Sequence, residues 1–393
     1  MDAGSPPAYD AFASLLEGPY YGPDHRAFRD QVRRFVDREI APYVEAWEEA
    51  GTFPRELYSK AGEMGLLTLD YPEELGGIPA DPFFNIIMQQ EVSRAGAGGV
   101  PASLFSSGIS MPPVARFARD AVRQSVVPQV LSGEKISALA VTEPSGGSDV
   151  ANLRTTARRE GDHYVVNGQK TFISSGMRAD YLTTAVRTGG EGAGGVSILL
   201  IDGDSEGLSR TPLDKMGWWC SDTATLYFDD VKVPADRLVG EENNGFPAVM
   251  VNFNGERLSL AALCNGFAMV CLEEAINYAR SRETFGRPLI SRQAIRHKIA
   301  DMAQAIRSTQ AYLERTAWAM GEGRLVADDV ALLKNQATKT LEFCAREAVQ
   351  IFGGAGYLRG AKVERIYREV RVMAIGGGAE EIMRDLAANQ MGI

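Results

Sequence analysis

Two neighbouring stretches decide the fold: Leu139-Ala-Val-Thr-Glu-Pro-Ser-Gly-Gly-Ser-Asp149 and Asn167-Gly-Gln-Lys-Thr-Phe-Ile-Ser-Ser-Gly176. The first is a short apolar run that breaks at Pro144 and passes through Gly146 and Gly147, which predicts a turn with close backbone approach. Its hydroxyls and bare amides offer donors for carbonyl or phosphate oxygens, although a plain loop has the same composition. The second stretch alternates as strands do, and its Asn-Gly pair predicts a hairpin turn.

The chain before these stretches has the periodicity of helices. Apolar residues recur at three- and four-residue steps from Phe28 to Ile40, and Pro42 is expected to end or bend that helix. Three further helical runs follow, at 57–67, 83–94 and 112–131. We therefore predict an N-terminal α-helical domain over residues 1–136.

From Ile136 the period changes to that of strands. Six strand-like runs separated by Gly, Asp and Asn turns occupy 138–141, 164–166, 171–173, 181–186, 196–201 and 226–233. Short strands at this spacing predict a small β-barrel or sandwich, the middle β domain over residues 137–245. The glycine run at 189–195 is expected to be a surface loop, because no helix follows it as a dinucleotide fingerprint requires.

After Gly245 the sequence is helical again. Three apolar stripes at helical spacing run through 260–270, 295–320 and 333–351, with a polar interruption at Thr309. They predict a C-terminal four-helix bundle over residues 246–393. The predicted fold class is α+β, mostly α.

Composition narrows the class of protein further. A net charge of −10 over 393 residues argues against a nucleic-acid-binding surface. Four cysteines without paired spacing and three scattered histidines argue against a metal site, and they favour reduced, buried thiols. We see no signal peptide and no uninterrupted apolar segment long enough for a bilayer. The expectation is a soluble cytoplasmic protein that binds no membrane.

The two opening stretches at this spacing resemble the acyl-CoA dehydrogenase family, and the resemblance covers nearly the whole chain. Arg282-Glu-Thr-Phe-Gly-Arg287 and Gln350-Ile-Phe-Gly-Gly354 are further stretches of the same likeness. The resemblance implies an FAD cofactor between the β domain and the bundle, an acyl-CoA substrate and a place in fatty acid metabolism. It also implies an electron-transfer flavoprotein as partner and a homotetramer, or at least a homodimer.

Three groups of cofactor-binding residues follow from the resemblance. The flavin is expected to lie against Leu139, Val141, Thr142, Ser148, Phe172, Ile173 and Ser174. The FAD of a neighbouring subunit is expected to meet Arg282, Phe285, Gln293, Gln350, Ile351, Phe352, Gly353 and Gly354. The last group is Ala379 and Glu381. Phe172-Ile-Ser departs mildly from the family's usual Trp-Ile-Thr, and Ala379 replaces a common Thr. The residues alone also fit two simpler interpretations. The stretch at Phe172 fits an ordinary strand of a barrel, and Arg282 fits a cation that interacts favourably with the dipole at the end of a helix.

The catalytic base needs a carboxylate that removes the α-proton of the thioester. Many family members carry it just before a Gly-Thr pair, where this chain has Ile375-Gly-Gly-Gly-Ala379 and no carboxylate. Isovaleryl- and long-chain-specific members carry it instead in a Glu-Arg-Leu context, which Asn254-Gly-Glu-Arg-Leu258 matches, so Glu256 is the predicted base. The residue pattern alone equally allows an acidic residue in the first turn of a helix, and the rival carboxylates are Glu380 and Glu381. The resemblance places substrate contacts at Ser148, Phe253, Asn254, Arg257, Gly377 and Gly378.

Two other functions remain open at this point. An acyl-CoA oxidase carries out the same half-reaction with oxygen as acceptor, and the sequence does not separate it from a dehydrogenase. A non-catalytic, flavin-binding relative that protects DNA is the second alternative. It predicts a basic groove and no base, and both the net charge of −10 and Glu256 oppose it.

Overall fold

The structure, a computed structural model, describes residues 7–393, apart from the side chains at positions 249, 251 and 252. Within this part of the chain it has twelve α-helices: α1 (Pro23–Phe35), α2 (Val44–Ala50), α3 (Glu56–Glu63), α4 (Pro82–Ser93), α5 (Gly99–Leu104), α6 (Ser107–Phe117), α7 (Asp120–Leu131), α8 (Phe246–Ser281), α9 (Gln293–Gly321), α10 (Ala327–Phe352), α11 (Lys362–Ile375) and α12 (Glu380–Met391). The described strands are β1 (Ser137–Ala140), β2 (Thr156–Glu160), β3 (His163–Ser174), β4 (Tyr181–Arg187), β5 (Val196–Asp202), β6 (Leu208–Pro212), β7 (Thr223–Pro234), β8 (Leu238–Val239), β9 (Glu283–Thr284) and β10 (Arg287–Pro288). Helices, then strands, then helices follow one another along the chain, which confirms the predicted fold class.

Two compact units organise the described chain. The first, called the helical unit below, comprises the chain up to Glu45, Pro82–Gly98 and Arg257–Ile393. The second, the sheet unit, comprises Ala46–Asp81 and Gly99–Glu256. The N-terminal helices are thus divided, with α1 and α4 in the helical unit and α5 to α7 in the sheet unit. The three domain boundaries read from the sequence stay a prediction.

One eight-stranded sheet forms the frame of the sheet unit, in the order β6-β7-β3-β2-β4-β5-β8 with β1 paired in parallel to β4. The longest pair is antiparallel, between β3 and β7, each of 12 residues. Inward-facing side chains that are at most 1% exposed form the core: Tyr164, Val166, Leu182, Leu199, Leu226 and Val233. The predicted strand runs fall in or at the ends of β1, β3, β4, β5 and β7. We did not predict β2, because its sequence, Thr156-Ala-Arg-Arg-Glu160, buries only one residue.

The hairpin predicted at Asn167-Gly168 is wrong. β3 runs without a turn from His163 to Ser174, and its pairing with β7 shifts register between Val166 and Gly168. Gly168 has φ +141°, and a Cβ atom there would lie 2.7 Å from the Cα atom of Thr155. The glycine therefore serves a bulge and a close backbone approach rather than a turn. The actual β2–β3 hairpin turns at residues 161–162, where Glu160 pairs with His163.

Three long helices dominate the helical unit: α8, which has 36 residues and whose first eleven belong to the sheet unit, α9 with 29 residues and α10 with 26. α10 is central and packs against α9, α11 and α12. Its predicted stripe is buried, with every member at most 5% exposed: Leu333, Ala337, Leu341, Cys344, Ala348 and Ile351. Thr309, the polar interruption on α9, is buried and shares a hydrogen bond of 2.8 Å with Thr340. All four cysteines are buried free thiols, as predicted.

α8 is unusual in its apolar character. Among the described residues it alone has the length and composition of a membrane-spanning helix, with a mean hydropathy of 1.4 over its most apolar window. This contrasts with the expectation that the chain has no apolar segment long enough for a bilayer. However, 78% of that window is buried inside the protein, so packing accounts for the apolar residues.

Candidate active site

The glycine-rich turn of the sheet unit folds around a buried carboxylate. After β1 ends, Glu143 and Gly146 exchange backbone hydrogen bonds of 3.2 and 3.1 Å and so close the turn. The Glu143 side chain accepts hydrogen bonds from the backbone amides of Arg154 and Thr155, at 2.6 and 2.9 Å. Its carboxylate therefore ties the turn to the segment that leads into β2.

A buried cation completes this arrangement. Lys170 of β3 is 0% exposed, and its Nζ donates to Glu143 Oε1 at 2.8 Å and to the carbonyl oxygen of Val141 at 3.0 Å. Burial lowers the pKa of Lys170 to about 8, against the opposing effect of Glu143. Burial acts to raise the pKa of Glu143, but Lys170 and the two amides outweigh it and lower that pKa to about 2. Both groups are thus ionised at neutral pH.

The end of β3 lies beside the same turn. The amide of Thr171 donates to the carbonyl oxygen of Thr142 at 2.9 Å, whereas the amide of Thr142 itself has no acceptor among the described residues. A register shift between Lys170 and Ile173 gives Phe172 a φ of +60° and leaves it 68% exposed. The exposed aromatic ring of Phe172 thus follows directly after Thr171, the residue that is bonded to the turn with the bare amide.

The other predicted residues of the sheet unit differ in accessibility. Leu139 in β1 is half-buried, and Ser148 on the turn is exposed. Ile173 is 2% exposed and belongs to the core of the sheet, so only its backbone is available to a ligand. Phe253 and Asn254 lie on α8 and are half-buried, and Phe253 packs against the core formed by α6 and α7.

A glycine loop joins α11 to α12 in the helical unit. Gly377 has φ +66° and Gly378 has φ +107°, in the left-handed region that favours glycine. Two buried cations hold this loop: Arg257 Nε donates to the Gly377 carbonyl at 3.2 Å, and Lys334 Nζ donates to the Gly378 carbonyl at 2.7 Å. Ala379 caps α12. The loop has a fixed backbone and no carboxylate of its own.

Glu256 lies well inside α8, at its eleventh residue, and directly precedes Arg257. The alternative interpretation of Glu256, as an acidic residue in the first turn of a helix, is therefore wrong, because the helix begins at Phe246. The rival carboxylates do occupy such a position: Glu380 and Glu381 open α12, and both lie within ion-pair distance of Arg384, at 2.8 and 3.6 Å. The side chain of Glu381 is 77% exposed.

An exposed hairpin follows α8. Arg282 comes directly after the last residue of the helix, and its guanidinium has no ion-pair partner in the described chain. β9 and β10 form the hairpin, and Phe285 at its tip is 96% exposed. Gln293 is the exposed first residue of α9. These three predicted residues thus present their side chains to solvent in the helical unit.

The end of α10 lies beside the end of α8, because the ring of Phe352 stacks on that of Tyr278 with centroids 4.2 Å apart. α10 ends at Phe352, and Gly353 follows with φ +59°, as the glycine-rich pattern predicted. The side chain of Ile351 is only 5% exposed, so it packs rather than contacts a ligand. Three other predicted residues here are exposed: Gln350, Gly353 and Gly354.

Sequence reasoning missed three charged residues near these segments: Glu143, Lys170 and Lys334. Lys170 is the clearest omission, because it is fully buried within β3. A buried lysine requires a partner, and the structure supplies it in the carboxylate of Glu143, 27 positions away in the sequence. Among the described residues no three His, Cys, Asp or Glu side chains converge as metal ligands do.

Known proteins match nearly the full length of the chain. Models of the N-terminal, middle and C-terminal domains of acyl-CoA dehydrogenases match residues 22–134, 138–231 and 243–392. The mitochondrial long-chain specific acyl-CoA dehydrogenase of Rattus norvegicus is 35% identical over 375 residues, covering 94% of this chain and 87% of the relative.

Solved structures agree with this match. A probable acyl-CoA dehydrogenase from Mycobacterium abscessus is 48% identical with a TM-score of 0.93, covering 95% of this chain and 100% of that one. A chain from a structure of the electron transferring flavoprotein of Acidaminococcus fermentans is 31% identical with a TM-score of 0.91, covering 94% and 98%. With three domain models in order and identity over nearly its full length, the chain belongs to the acyl-CoA dehydrogenase family of FAD-dependent oxidoreductases.

Proposed function

We propose that this protein catalyses α,β-dehydrogenation of an acyl-CoA thioester to the 2-enoyl-CoA, with Glu256 as the catalytic base. One observation carries the assignment of the base. The loop at Gly377, where many family members have their base, lacks a carboxylate, and the side chain that holds this loop belongs to Arg257, the residue after Glu256. Arg257 thus holds the loop, and we assign to the adjacent Glu256 the role of the carboxylate that the loop lacks.

The sheet unit fits the flavin of FAD. The amide of Thr142 lacks an acceptor in the described chain, and exposed Phe172 offers an aromatic face beside it. The flavin is a flat ring with a polar edge, so it suits both the ring of Phe172 and the amide of Thr142. The amides of Val141, Thr142 and Ser174 are the proposed donors to its edge. FAD, when bound, accepts the hydrogen and electron pair that leave the β-carbon of the substrate.

The diphosphate end of FAD suits the helical unit. Arg282 presents a guanidinium without an ion-pair partner in the described chain, and a guanidinium binds phosphate oxygens in a bidentate manner. The glycines after Phe352 offer bare backbone close to the end of α8. We propose that these groups serve the FAD of a neighbouring subunit, in a homodimer or homotetramer. Gln293 and Phe285 contribute exposed side chains to the same surface.

Glu256 is the group proposed to accept the proton that the substrate releases. Its carboxylate takes the proton from the α-carbon while the β-hydrogen leaves with its electron pair, and the two remaining electrons form the double bond. Glu380 and Glu381 are poor candidates for this role because Arg384 lies beside both carboxylates. Ser148, Phe253, Asn254, Arg257, Gly377 and Gly378 are proposed as substrate contacts.

The electron acceptor is proposed to be an electron-transfer flavoprotein. The similarity to a chain from an electron transferring flavoprotein structure supports this choice over oxygen. We place the enzyme in the cytoplasm, as its composition suggested, and in fatty acid metabolism, as the resemblance implied.

Anaerobic mixing of the FAD-loaded protein with straight, branched and terpenoid acyl-CoA thioesters tests the proposal. We expect at least one thioester to bleach the visible absorbance of the oxidised flavin and to appear as its 2-enoyl product. Addition of electron-transfer flavoprotein should then restore the absorbance faster than air. Rapid recovery in air alone identifies an oxidase, and no bleaching with any thioester contradicts the proposed reaction.

A further inference from the structure

In the peptide group between Val141 and Thr142, only the carbonyl oxygen has a hydrogen-bond partner in the described chain. Lys170 Nζ donates to its carbonyl oxygen at 3.0 Å, and its N–H group has no acceptor in the described chain. A trans peptide is planar, and its carbonyl and N–H point in opposite directions. Because Lys170 fixes the carbonyl, it also fixes the direction of the Thr142 N–H.

From this geometry we propose that Lys170 and Glu143 are positioning residues that aim the Thr142 amide at the flavin edge and strengthen it as a donor. The inference rests on the proposed placement of FAD against this turn. An ammonium group bound to a carbonyl oxygen polarises the whole peptide, and hydrogen bonds in such a chain reinforce one another. The effect reaches the flavin through one peptide group, without direct contact by Lys170.

Glu143 keeps the cation in place. Its side chain is 4% exposed and that of Lys170 is 0% exposed, so solvent screens neither charge. The carboxylate binds Lys170 through one oxygen and accepts the amides of Arg154 and Thr155 as well, which prevents rotation of the pair. The other charged group acting on Lys170 is Arg187, which disfavours the ammonium form. Without Glu143, the ammonium is both less stable and less well oriented.

A buried ion pair often adds little net stability compared with apolar or neutral replacements. We therefore expect its removal to affect the flavin more than the fold. The central variant is the double substitution K170M/E143Q, which leaves no unpaired charge and keeps an oxygen for the amides of Arg154 and Thr155. The control is D202N, which breaks the 3.4 Å pair with Arg237. Asp202 pairs with Tyr181, at the opposite end of β1 from the turn.

Three quantities are measured: the Kd for FAD of the apoprotein, the flavin reduction potential and the melting temperature of the apoprotein. For K170M/E143Q we expect the FAD Kd to rise about tenfold, the effect of one weakened hydrogen bond to the flavin edge. The potential should become more negative, since the reduced, anionic ring loses donor strength at its edge. The control should match the wild type in Kd and potential.

Phe172→Ala separates this inference from the proposed placement of FAD, because its exposed ring can be removed without disturbing the core. If Phe172→Ala weakens FAD binding while K170M/E143Q changes neither Kd nor potential, the positioning role is overturned and the placement stands. If neither variant affects FAD, the placement itself is wrong and the inference is overturned with it. Should the double variant not fold, Glu143→Gln alone decides: an unchanged potential overturns the proposal and a negative shift supports it.

Discussion

Arg257 on α8 donates from Nε to the carbonyl oxygen of Gly377, 3.2 Å away, and so connects the helix of the proposed base to a loop that has no carboxylate. A base on a helix is held by the backbone hydrogen bonds of that helix, whereas a base on a glycine loop depends on the conformation of the loop. Here the loop retains only backbone groups, and its two consecutive carbonyls are each bound by a cation. The proposed base and the backbone groups proposed to face the substrate thus belong to different elements.

Replacement of Glu256 by Gln is the direct test of the base. The amide keeps the shape of the side chain but does not accept the α-proton, so we expect flavin bleaching by substrate to slow by at least about two orders of magnitude. FAD content and melting temperature should remain those of the wild type. Stopped-flow measurement of bleaching gives the rate.

The matched control for this change is Glu380→Gln, which alters a carboxylate held 2.8 Å from Arg384 on α12. It should bleach at a near-normal rate. If Glu380→Gln abolishes bleaching and Glu256→Gln does not, the base has been assigned to the wrong helix.

Lys334→Met should release the second carbonyl of the glycine loop. Lys334 is 1% exposed and binds the Gly378 carbonyl at 2.7 Å, so its loss removes a charge-assisted hydrogen bond from a loop proposed to face the thioester. We expect kcat to fall between about 10- and 100-fold through misplacement of the loop, with FAD content unchanged. Lys339→Met makes the same change on the exposed face of α10 and should leave kcat unaltered. Equal kcat values for the two variants would show that Lys334 does not position the loop.

Arg282→Ala should weaken retention of FAD. The exposed guanidinium is proposed to bind the diphosphate of a neighbour's FAD, and loss of that pair costs on the order of 2 kcal/mol, or about 30-fold in Kd. Arg324→Ala, which removes an exposed arginine elsewhere in the helical unit, is the control. FAD release on dilution, followed by fluorescence, gives the Kd. Light scattering that detects an FAD-bound monomer would count decisively against contact between subunits.

Much of this fold could be predicted because long-range packing and local periodicity agree. The stripe on α10 repeats every three or four residues, and all its members are buried. Asn167-Gly168 shows the opposite case. The pair is a strong local signal for a hairpin, yet the approach of Thr155 and the pairing with β7 keep the strand extended. At this position, tertiary contacts that cannot be seen in the sequence override the local preference for a turn.

The site was predictable in part for the same reason. Motif residues such as Phe172 and Arg282 were found through a resemblance, and the structure shows both side chains exposed. The ion pair of Glu143 and Lys170 joins residues 27 positions apart, and it depends on the register of β3 against the turn. The start of helical structure after Gly245 was predicted correctly, since α8 begins at Phe246, and Gly255 lies within this helix. The helix continues through it, although glycine costs about 1 kcal/mol in such a position.

The stability of the sheet unit should depend on pH through Glu143. Its pKa falls from 4.5 to about 2 on folding, so its contribution is complete above pH 4.5 and is lost as the pH falls towards 2. Glu143→Gln lacks this titration. We therefore expect the melting temperature of the wild-type apoprotein to exceed that of the variant most at neutral pH, and the difference to narrow from about pH 5 to about pH 3.

Lys170 acts on the alkaline side and in the same direction, because burial lowers its pKa from 10.5 to about 8. The unfolded chain binds that proton more tightly, so this group's contribution to stability rises between pH 8 and 10.5.

Glu206→Gln is the control for the acid experiment on Glu143, since it makes the same change at an exposed residue of the sheet unit. Its melting temperature should follow the wild type at every pH. If the difference between wild type and Glu143→Gln stays constant from neutral to acid pH, the carboxylate is not held as an anion in the folded protein, and the electrostatic part of the argument for the Thr142 amide fails.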